Sequence, residues 1–77
     1  PYPMLEFGIP STDPEKEISS DEFQRKIADV NSRFSKSGRL IVRKSGTEPV
    51  IRITYECFSS SPQAIFDEIR KIFTSDK

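Results

Sequence analysis

Apolar residues recur at helical spacing in two segments of the chain. In the first segment the spacings are four, three and four, which place the apolar residues on one stripe: Phe23, Ile27, Val30 and Phe34. The second segment follows Ser61 and Pro62, and its stripe is continuous: Ile65, Phe66, Ile69, Ile72 and Phe73. Such stripes are typical of amphipathic helices that pack one face on a core. The pattern therefore predicts two helices.

The ends of both helices carry sequence signals. Ser19 followed three residues later by Glu22 has the form of a capping box, which predicts that the first helix begins there. Gly38 stands close to where a left-handed residue would close that helix. Ser61 followed by Pro62 predicts an N-cap and a first-turn proline for the second helix. Four charged residues that fall off the first apolar stripe are expected to face water: Arg25, Lys26, Asp29 and Arg33.

Three shorter segments have the pattern of β-strands. Residues 4–9 place apolar residues around one charge and stop at a proline, and residues 39–43 are apolar and β-branched in their middle. Residues 50–58 alternate clearly, with four side chains on one face: Ile51, Ile53, Tyr55 and Cys57. The stretch 44–49 is rich in turn formers, so the second and third strands are expected to be antiparallel neighbours.

These elements predict an α+β domain in which both helices pack on one face of a small antiparallel sheet. The stretch 10–17 has two prolines and four charges without periodicity, and it predicts a solvated loop after the first strand. Seventy-seven residues are enough for one domain only, so residues 1–77 are expected to form a single domain with a thin core.

Composition removes several classes of function. The chain has no histidine and one cysteine, which excludes histidine-based metal sites, Ser-His-Asp triads and an internal disulfide. Cys57 is expected to be a small buried hydrophobe in a reduced, cytoplasmic protein. No apolar run approaches the length of a membrane span, and the first residues lack the regions of a signal peptide. Because position 1 is not methionine, we expect the chain to be part of a longer protein.

The net charge is zero, but the charges are unevenly distributed. Between positions 36 and 52 there are five basic residues and one acid, whereas the first 24 residues hold six acids and one lysine. The basic excess coincides with the turn that contains Ser45, Gly46 and Thr47. This coincidence indicates an anion site.

The residues of this turn suit phosphate. Gly46 permits close approach of the backbone, successive amides can form a concave nest, and the hydroxyls of Ser45 and Thr47 supply donors. Arg43 enters the turn and Arg52 lies on the returning strand, where each guanidinium can offer a planar fork to two phosphate oxygens. Phosphate is therefore the anion that these donors suit best.

Other interpretations of the same residues stay open. The turn could be an ordinary hairpin whose arginines are simply solvated; it is not a nucleotide P-loop, because a strand follows it rather than a helix. Glu48 could orient Arg52 or touch a ligand hydroxyl, although a solvated carboxylate is the simpler interpretation. A small RNA-binding sheet is the main rival, but Tyr55 is in phase with the core residues of its strand. The last helix has a polar face of mixed sign, which argues against membrane binding.

The stretch from Gly38 to Glu56 closely resembles the phosphate-binding loop of the α-D-phosphohexomutases, whose signature is Arg-x-Ser-Gly-Thr-Glu-Pro followed by an apolar pair and arginine. Residues 43–49 match that signature consecutively, and Arg52 stands at the expected offset. Within the family, the loop is most similar to that of the bacterial phosphoglucosamine mutases.

The resemblance implies a fold and a function. The fold would be that of the family's last domain, which is similar to the TATA-binding protein and rotates to close over substrate. The substrate would be a phosphosugar, interconverted between glucosamine 6-phosphate and glucosamine 1-phosphate, or the glucose or mannose phosphates used by other members. The phosphoserine and the Mg²⁺ ion would belong to other domains of the same enzyme, so this chain alone would catalyse nothing.

By the same resemblance, Arg43, Ser45, Gly46, Thr47 and Arg52 would hold the phosphate that is not reacting. Lys44 would point outward and add only long-range attraction. No nucleic acid and no membrane is expected as a partner.

Overall fold

Three strands and three helices follow one another along residues 2–75, the part of the chain that the computed structural model describes. In chain order they are β1 (Met4–Pro10), α1 (Pro14–Ile18), α2 (Asp21–Phe34), β2 (Gly38–Lys44), β3 (Val50–Cys57) and α3 (Pro62–Thr74). The three predicted strands and the starts of the two predicted long helices are confirmed within one or two residues, whereas α2 ends at Phe34, four residues before the predicted end at Gly38.

The sheet is antiparallel, and β3 lies at its centre between β1 and β2. Phe7 pairs with Ile53, which pairs on its other side with Val42, so every second residue of each strand points to the helices. These side chains and the helical stripes form one core whose fully buried members are Leu5, Phe23, Val30, Ile51, Ile53, Tyr55, Cys57, Ile69 and Phe73. The predicted α+β arrangement, with the helices on one face of the sheet, is confirmed.

The alternate residues of the strands form a second face, which no helix covers. We call it the open face, and it is made of Met4, Glu6, Gly8, Pro10, Arg39, Ile41, Arg43, Val50, Arg52, Thr54 and Glu56. Most of these side chains are exposed, and Thr54 and Glu56 are half-buried on the central strand.

The prediction of a loop over residues 10–17 is wrong, because a short helix occupies part of it. Asp13 is the N-cap of α1, since its carboxylate accepts a hydrogen bond from the Lys16 amide at 3.3 Å, and Pro14 stands in the first turn. Proline is favoured there because it has no amide hydrogen, and an amide hydrogen at that position would have no acceptor within the helix. The signal was therefore present, but five residues are too few for an apolar stripe.

The start of α2 also differs by one residue from the prediction. Ser20, rather than Ser19, is its N-cap, and the Ser20 hydroxyl oxygen accepts from the Phe23 amide at 3.2 Å. Ser19 instead ends α1, and its hydroxyl donates to the carbonyl oxygens of Glu15 and Lys16. The helix that the sequence pattern missed thus takes the serine that the pattern assigned to α2.

Lys26 does not face water as predicted. Its side chain is only 17% exposed, and its amino group donates to the backbone oxygens of Ser75 at 2.7 Å and Phe73 at 3.4 Å. The carbonyl end of a helix attracts a cation because its last oxygens lack helical donors. Lys26 thereby joins α2 to the end of α3, whereas Arg25 and Arg33 are exposed as predicted.

Gly38 does not close α2 in a left-handed conformation; it begins β2, and no described glycine has a positive φ. A β-carbon at this position would overlap the ring of Tyr55 and the carbonyl oxygen of Glu56. The Tyr55 ring needs this space because its hydroxyl donates to the carbonyl oxygen of Phe34, at the end of α2, at 2.7 Å. The reason for glycine is therefore close packing.

The end of β3 shows which side chains are core and which are not. Cys57 is a free thiol with no exposed surface, and Tyr55 is 1% exposed, so both predictions of burial are confirmed. Phe58 is 48% exposed and packs edge-on against Tyr2 at 4.8 Å between ring centres. None of the described helices is both long and apolar enough to cross a membrane.

We predict that Gly38→Ala destabilises the protein by about 1 to 3 kcal/mol, because the added methyl group forces Tyr55 or the backbone of β3 to move. Gly46→Ala is the matched control, since a β-carbon there would have no neighbour within 4 Å. Urea unfolding of the two variants gives the comparison. Equal stabilities would show that the Tyr55 pocket tolerates the extra carbon.

We predict that Tyr55 makes stability depend on alkaline pH. Burial raises the pKa of the Tyr55 phenol above its ordinary value of about 10, and repulsion from a Cys57 thiolate adds to the rise. The unfolded phenol ionises first, so the stabilising contribution of Tyr55 is complete below about pH 10 and is lost as the pH rises toward the folded pKa. Urea unfolding between about pH 8 and 11 should show the stability gap between wild type and Tyr55→Phe shrinking. A constant gap would contradict the assignment.

Candidate functional site

Arg43 and Arg52 lie side by side on the open face. They occupy directly opposed positions of β2 and β3, and the neighbours of each along its strand point to the core or away from this face. Both side chains are exposed, and neither guanidinium has an acidic partner within 4 Å among the described residues. Like charges directly opposite each other destabilise a sheet. An anion bound between them would remove that repulsion.

The loop between these strands is held by hydrogen bonds to its neighbours. The Ser45 amide donates to the carbonyl oxygen of Val50 at 3.1 Å, and the Val50 amide donates to the carbonyl oxygen of Glu48 at 2.8 Å. The Ser11 amide, from the segment after β1, donates to the carbonyl oxygen of Pro49 at 2.8 Å. The loop thus leaves and re-enters the sheet with a defined backbone.

Inside the loop, the Ser45 side chain takes two of the amides that the sequence suggested for an anion nest. Its hydroxyl oxygen accepts from the Thr47 amide at 3.4 Å and from the Glu48 amide at 3.2 Å. These two amides therefore do not point outward in this conformation. The Ser45 hydroxyl hydrogen is left to donate, and accepting two hydrogen bonds strengthens it as a donor.

The donors that remain are the two guanidiniums, the Ser45 and Thr47 hydroxyls and the Gly46 amide, which has no acceptor among the described residues. Gly46 is exposed and a side chain there would enter empty space, so neither strain nor packing calls for glycine. A glycine at position 46 is instead explained if a ligand approaches the backbone closely.

Lys44 and Glu48 stand apart from the arginine pair. Lys44 follows the alternation of β2 to the helix side of the sheet, where its amino group lies 3.5 Å from the carboxylate of Glu15 in α1. Glu48 is exposed, and its carboxylate has no ion-pair partner in the described part of the chain. The simpler interpretation of Glu48, a solvated carboxylate, therefore agrees with its surroundings.

Ser11 is a residue that sequence reasoning missed. It is 8% exposed, and its hydroxyl oxygen is buried without a hydrogen-bond partner among residues 2–75. The Ser11 amide donates a hydrogen bond to the Pro49 carbonyl oxygen, and Glu15 forms an ion pair with Lys44. These two contacts connect the α1 segment, residues 11–18, to the loop. The contact could not be read from the sequence, because it depends on β1 returning beside β3 and ending next to the loop.

The site lies at an exposed edge of the sheet, where the side chains of Arg43 and Arg52 are both exposed. A groove of about 1050 Å³ runs between α2 and α3, and no residue of the loop lines it. Arginine and hydroxyl donors on such an edge can hold an anion from one side only. Within residues 2–75, no group of three or more Asp, Glu, His or Cys side chains is placed to hold a metal ion.

Comparisons with known proteins show which family the chain is similar to. Residues 9–72 match the family model described as phosphoglucomutase/phosphomannomutase, C-terminal domain. Among curated relatives, a phosphoglucosamine mutase of Geobacillus thermodenitrificans is 35% identical over 75 residues, which cover 91% of this chain and 17% of that protein. A phosphoglucosamine mutase of Anoxybacillus flavithermus is 38% identical over 55 residues, covering 71% of this chain and 12% of that protein.

A third curated relative has the same name and a similar degree of coverage. A phosphoglucosamine mutase of Haemophilus influenzae is 36% identical over 56 residues, covering 73% of this chain and 13% of that protein. The chain thus spans less than a fifth of the length of the curated relatives that it matches. The model of the family's C-terminal domain covers most of this chain. The chain therefore belongs to the phosphoglucomutase/phosphomannomutase family and corresponds to the C-terminal domain of its members.

Proposed function

We propose that this chain binds the phosphate group of a phosphosugar through Arg43, Ser45, Gly46, Thr47 and Arg52. The observation that carries the proposal is that Arg43 and Arg52 lie opposite each other on the open face without acidic partners, and are joined by the loop that holds the Ser45 and Thr47 hydroxyls and the Gly46 amide. Two planar guanidiniums and neutral donors match the several oxygens of a phosphate dianion.

The reaction belongs to a longer protein, of which this chain is one domain. We propose that this protein interconverts glucosamine 6-phosphate and glucosamine 1-phosphate. A phosphoserine in another domain gives its phosphoryl group to the free sugar hydroxyl and forms a bisphosphate. The serine then takes back the other phosphoryl group, so the phosphate count on enzyme and sugar is restored. Throughout, one phosphate of the sugar is not reacting and must be held.

Holding that phosphate contributes to the rate. A fixed positive loop places the distal hydroxyl near the phosphoserine, and energy from a remote contact then lowers the entropic cost of the transfer. The one-sided geometry of the site supports a second step in the proposal. Further contacts to the sugar come from other domains when this domain, with a fold similar to the TATA-binding protein, rotates onto the substrate.

Magnesium and location are part of the same proposal. The family uses Mg²⁺, and because the described residues offer no acidic cluster for it, we place the ion in another domain. A cytoplasmic location agrees with the single, buried, free Cys57.

Two alternatives define the tests. A glucose or mannose phosphate mutase of the same family would use this loop in the same way, because the choice of sugar would lie in other domains. An RNA-binding module is less well supported, since Tyr55 is buried and the open face carries the acidic residues Glu6 and Glu56. Stacking on exposed aromatic rings is what such modules require.

We predict that Arg43→Ala weakens binding of glucosamine 6-phosphate by roughly 1.5 to 3 kcal/mol, because a charged hydrogen bond is lost. Arg39→Ala is the matched control: it lies on the same strand and face, but Arg39 is paired with Glu56 at 3.3 Å. Amide shifts of the ¹⁵N-labelled 77-residue chain, titrated with glucosamine 6-phosphate, inorganic phosphate or a short RNA, give the affinities.

Saturable shifts confined to residues 43–52 with both phosphates are the expected result. Equal losses in the two arginine variants would mean that the loop attracts anions only by general charge. Shifts across the sheet with RNA, and none with either phosphate, would replace the proposal by the RNA-binding alternative.

We predict that Ser45→Ala loosens the loop and weakens phosphate binding, whereas Ser45→Thr keeps the hydroxyl and most of the affinity. The alanine variant removes the acceptor of two amide hydrogen bonds, each contributing about 0.5 to 1.5 kcal/mol, and one donor to the charged phosphate, which contributes about 1.5 to 3 kcal/mol. Ser59→Ala is a control, because the Ser59 hydroxyl accepts from the Ser61 amide in another turn. Hydrogen exchange at the Thr47 and Glu48 amides, measured beside the phosphate titration, should accelerate only in Ser45→Ala. Unchanged exchange would show that the backbone alone shapes the loop.

A further inference from the structure

The arginine pair is part of a row of three residues across the open face. Gly8 on β1 pairs directly with Arg52 on β3, which pairs with Arg43 on β2. Phe7 and Ile9, on either side of Gly8, pack against the core, so a side chain at position 8 would point to the open face beside Arg52.

The fold itself does not require glycine at position 8. No described glycine has a positive φ. A β-carbon here would lie 3.8 Å from the Val50 Cβ and 3.9 Å from the carbonyl oxygen of Ile51, which are ordinary van der Waals separations. Gly38, whose β-carbon would overlap Tyr55, shows what a packing requirement looks like in the same chain.

Glycine inside a strand has a cost, because it has no side chain to pack and loses more backbone freedom on folding than other residues. Where neither dihedral angles nor packing explain it, an interior glycine often marks a place where a ligand or another backbone approaches closely. Gly8 is such a glycine, and the two cations without acidic partners are its row neighbours.

The surroundings of Gly8 favour a small polar ligand over a second backbone. The next row toward the middle of the sheet carries Glu6, which would repel the phosphate itself but can accept from sugar hydroxyls. The Val50 side chain lies close to the vacant Cβ position and offers an apolar contact to the carbon atoms of a sugar ring. A ligand whose phosphate lies at the arginines therefore has uncovered surface across β1.

We propose that Gly8 is a specificity-determining residue of the site, where the missing side chain lets the sugar of a phosphosugar lie across β1 while its phosphate is held by Arg43 and Arg52. This inference rests on the proposed function, because it takes the arginine pair as the phosphate site. It adds a contact surface on β1, a strand outside the loop signature.

The test compares a large and a small ligand on variants of the full 77-residue chain. Gly8→Val fills the space with a residue that suits a strand, and it should weaken glucosamine 6-phosphate binding by about tenfold while leaving inorganic phosphate within about twofold. Gly8→Ala should have a smaller effect in the same direction. Met4→Val is the control, since Met4 lies on the same strand and face, away from the arginine row.

Each outcome has a distinct meaning. Selective loss of the sugar phosphate in Gly8→Val, with Met4→Val unchanged, supports the inference. Equal affinities of wild type and Gly8→Val for the sugar phosphate overturn it, and so does an equal loss of both ligands, because Gly8 would then act only through the arginines. If wild type binds neither ligand, the proposed phosphate site fails first. Urea unfolding of Gly8→Val, which we expect to be no less stable than wild type, shows whether the variant is folded.

Discussion

The structure depends on the one-sided burial of its central strand. Every second residue of β3 from Ile51 to Cys57 is almost completely buried, and the strand is paired on both edges from Ile51 to Glu56. Because side chains alternate strictly, burying Ile51, Ile53 and Tyr55 under the helices forces Arg52 and its alternates onto the other face. A shift of one residue in the pairing would turn the core residues outward, so this register is strongly specified.

The same constraint creates the candidate site. Arg43 is placed opposite Arg52 because Val42 and Ile53 must meet in the core, and the two cations then have no acidic partner across the strands. At the other end of the sheet the equivalent pairing brings Arg39 to Glu56, so two like charges do not face each other where no ligand is proposed. The two like charges of Arg43 and Arg52 therefore face each other at the end of the sheet where the loop supplies further donors to a bound anion.

Support for the loop comes from a part of the chain that has no obvious chemistry. The α1 segment reaches the loop through the Ser11 amide and through the ion pair between Glu15 and Lys44. The ion pair is exposed and contributes little by itself. The backbone hydrogen bond is sheltered by the packing around Ser11, and it keeps the Pro49 carbonyl oxygen from needing another donor.

Periodicity found the elements that are long enough to show a period. The stripes of α2 and α3 and the alternation of β3 were sufficient because these segments extend over several repeats, and the signature of residues 43–49 located the loop. Periodicity failed where an element is short or depends on a neighbouring element. The helix α1 is a single capped turn, and its presence moves the N-cap of α2 from Ser19 to Ser20. Lys26 looked like a surface residue until α3 ended beside it.

The sequence alone determined the secondary structure of the long segments, the two-layer class, the core face of each strand and the chemistry of the loop, because these follow from local spacing and residue type. The tertiary structure decided which of those residues meet. Only the β1–β3–β2 order places Gly8 beside Arg52, and only the folded turn directs two amides to Ser45 instead of outward. Contacts between distant segments depend on strand order and packing, which no local pattern contains.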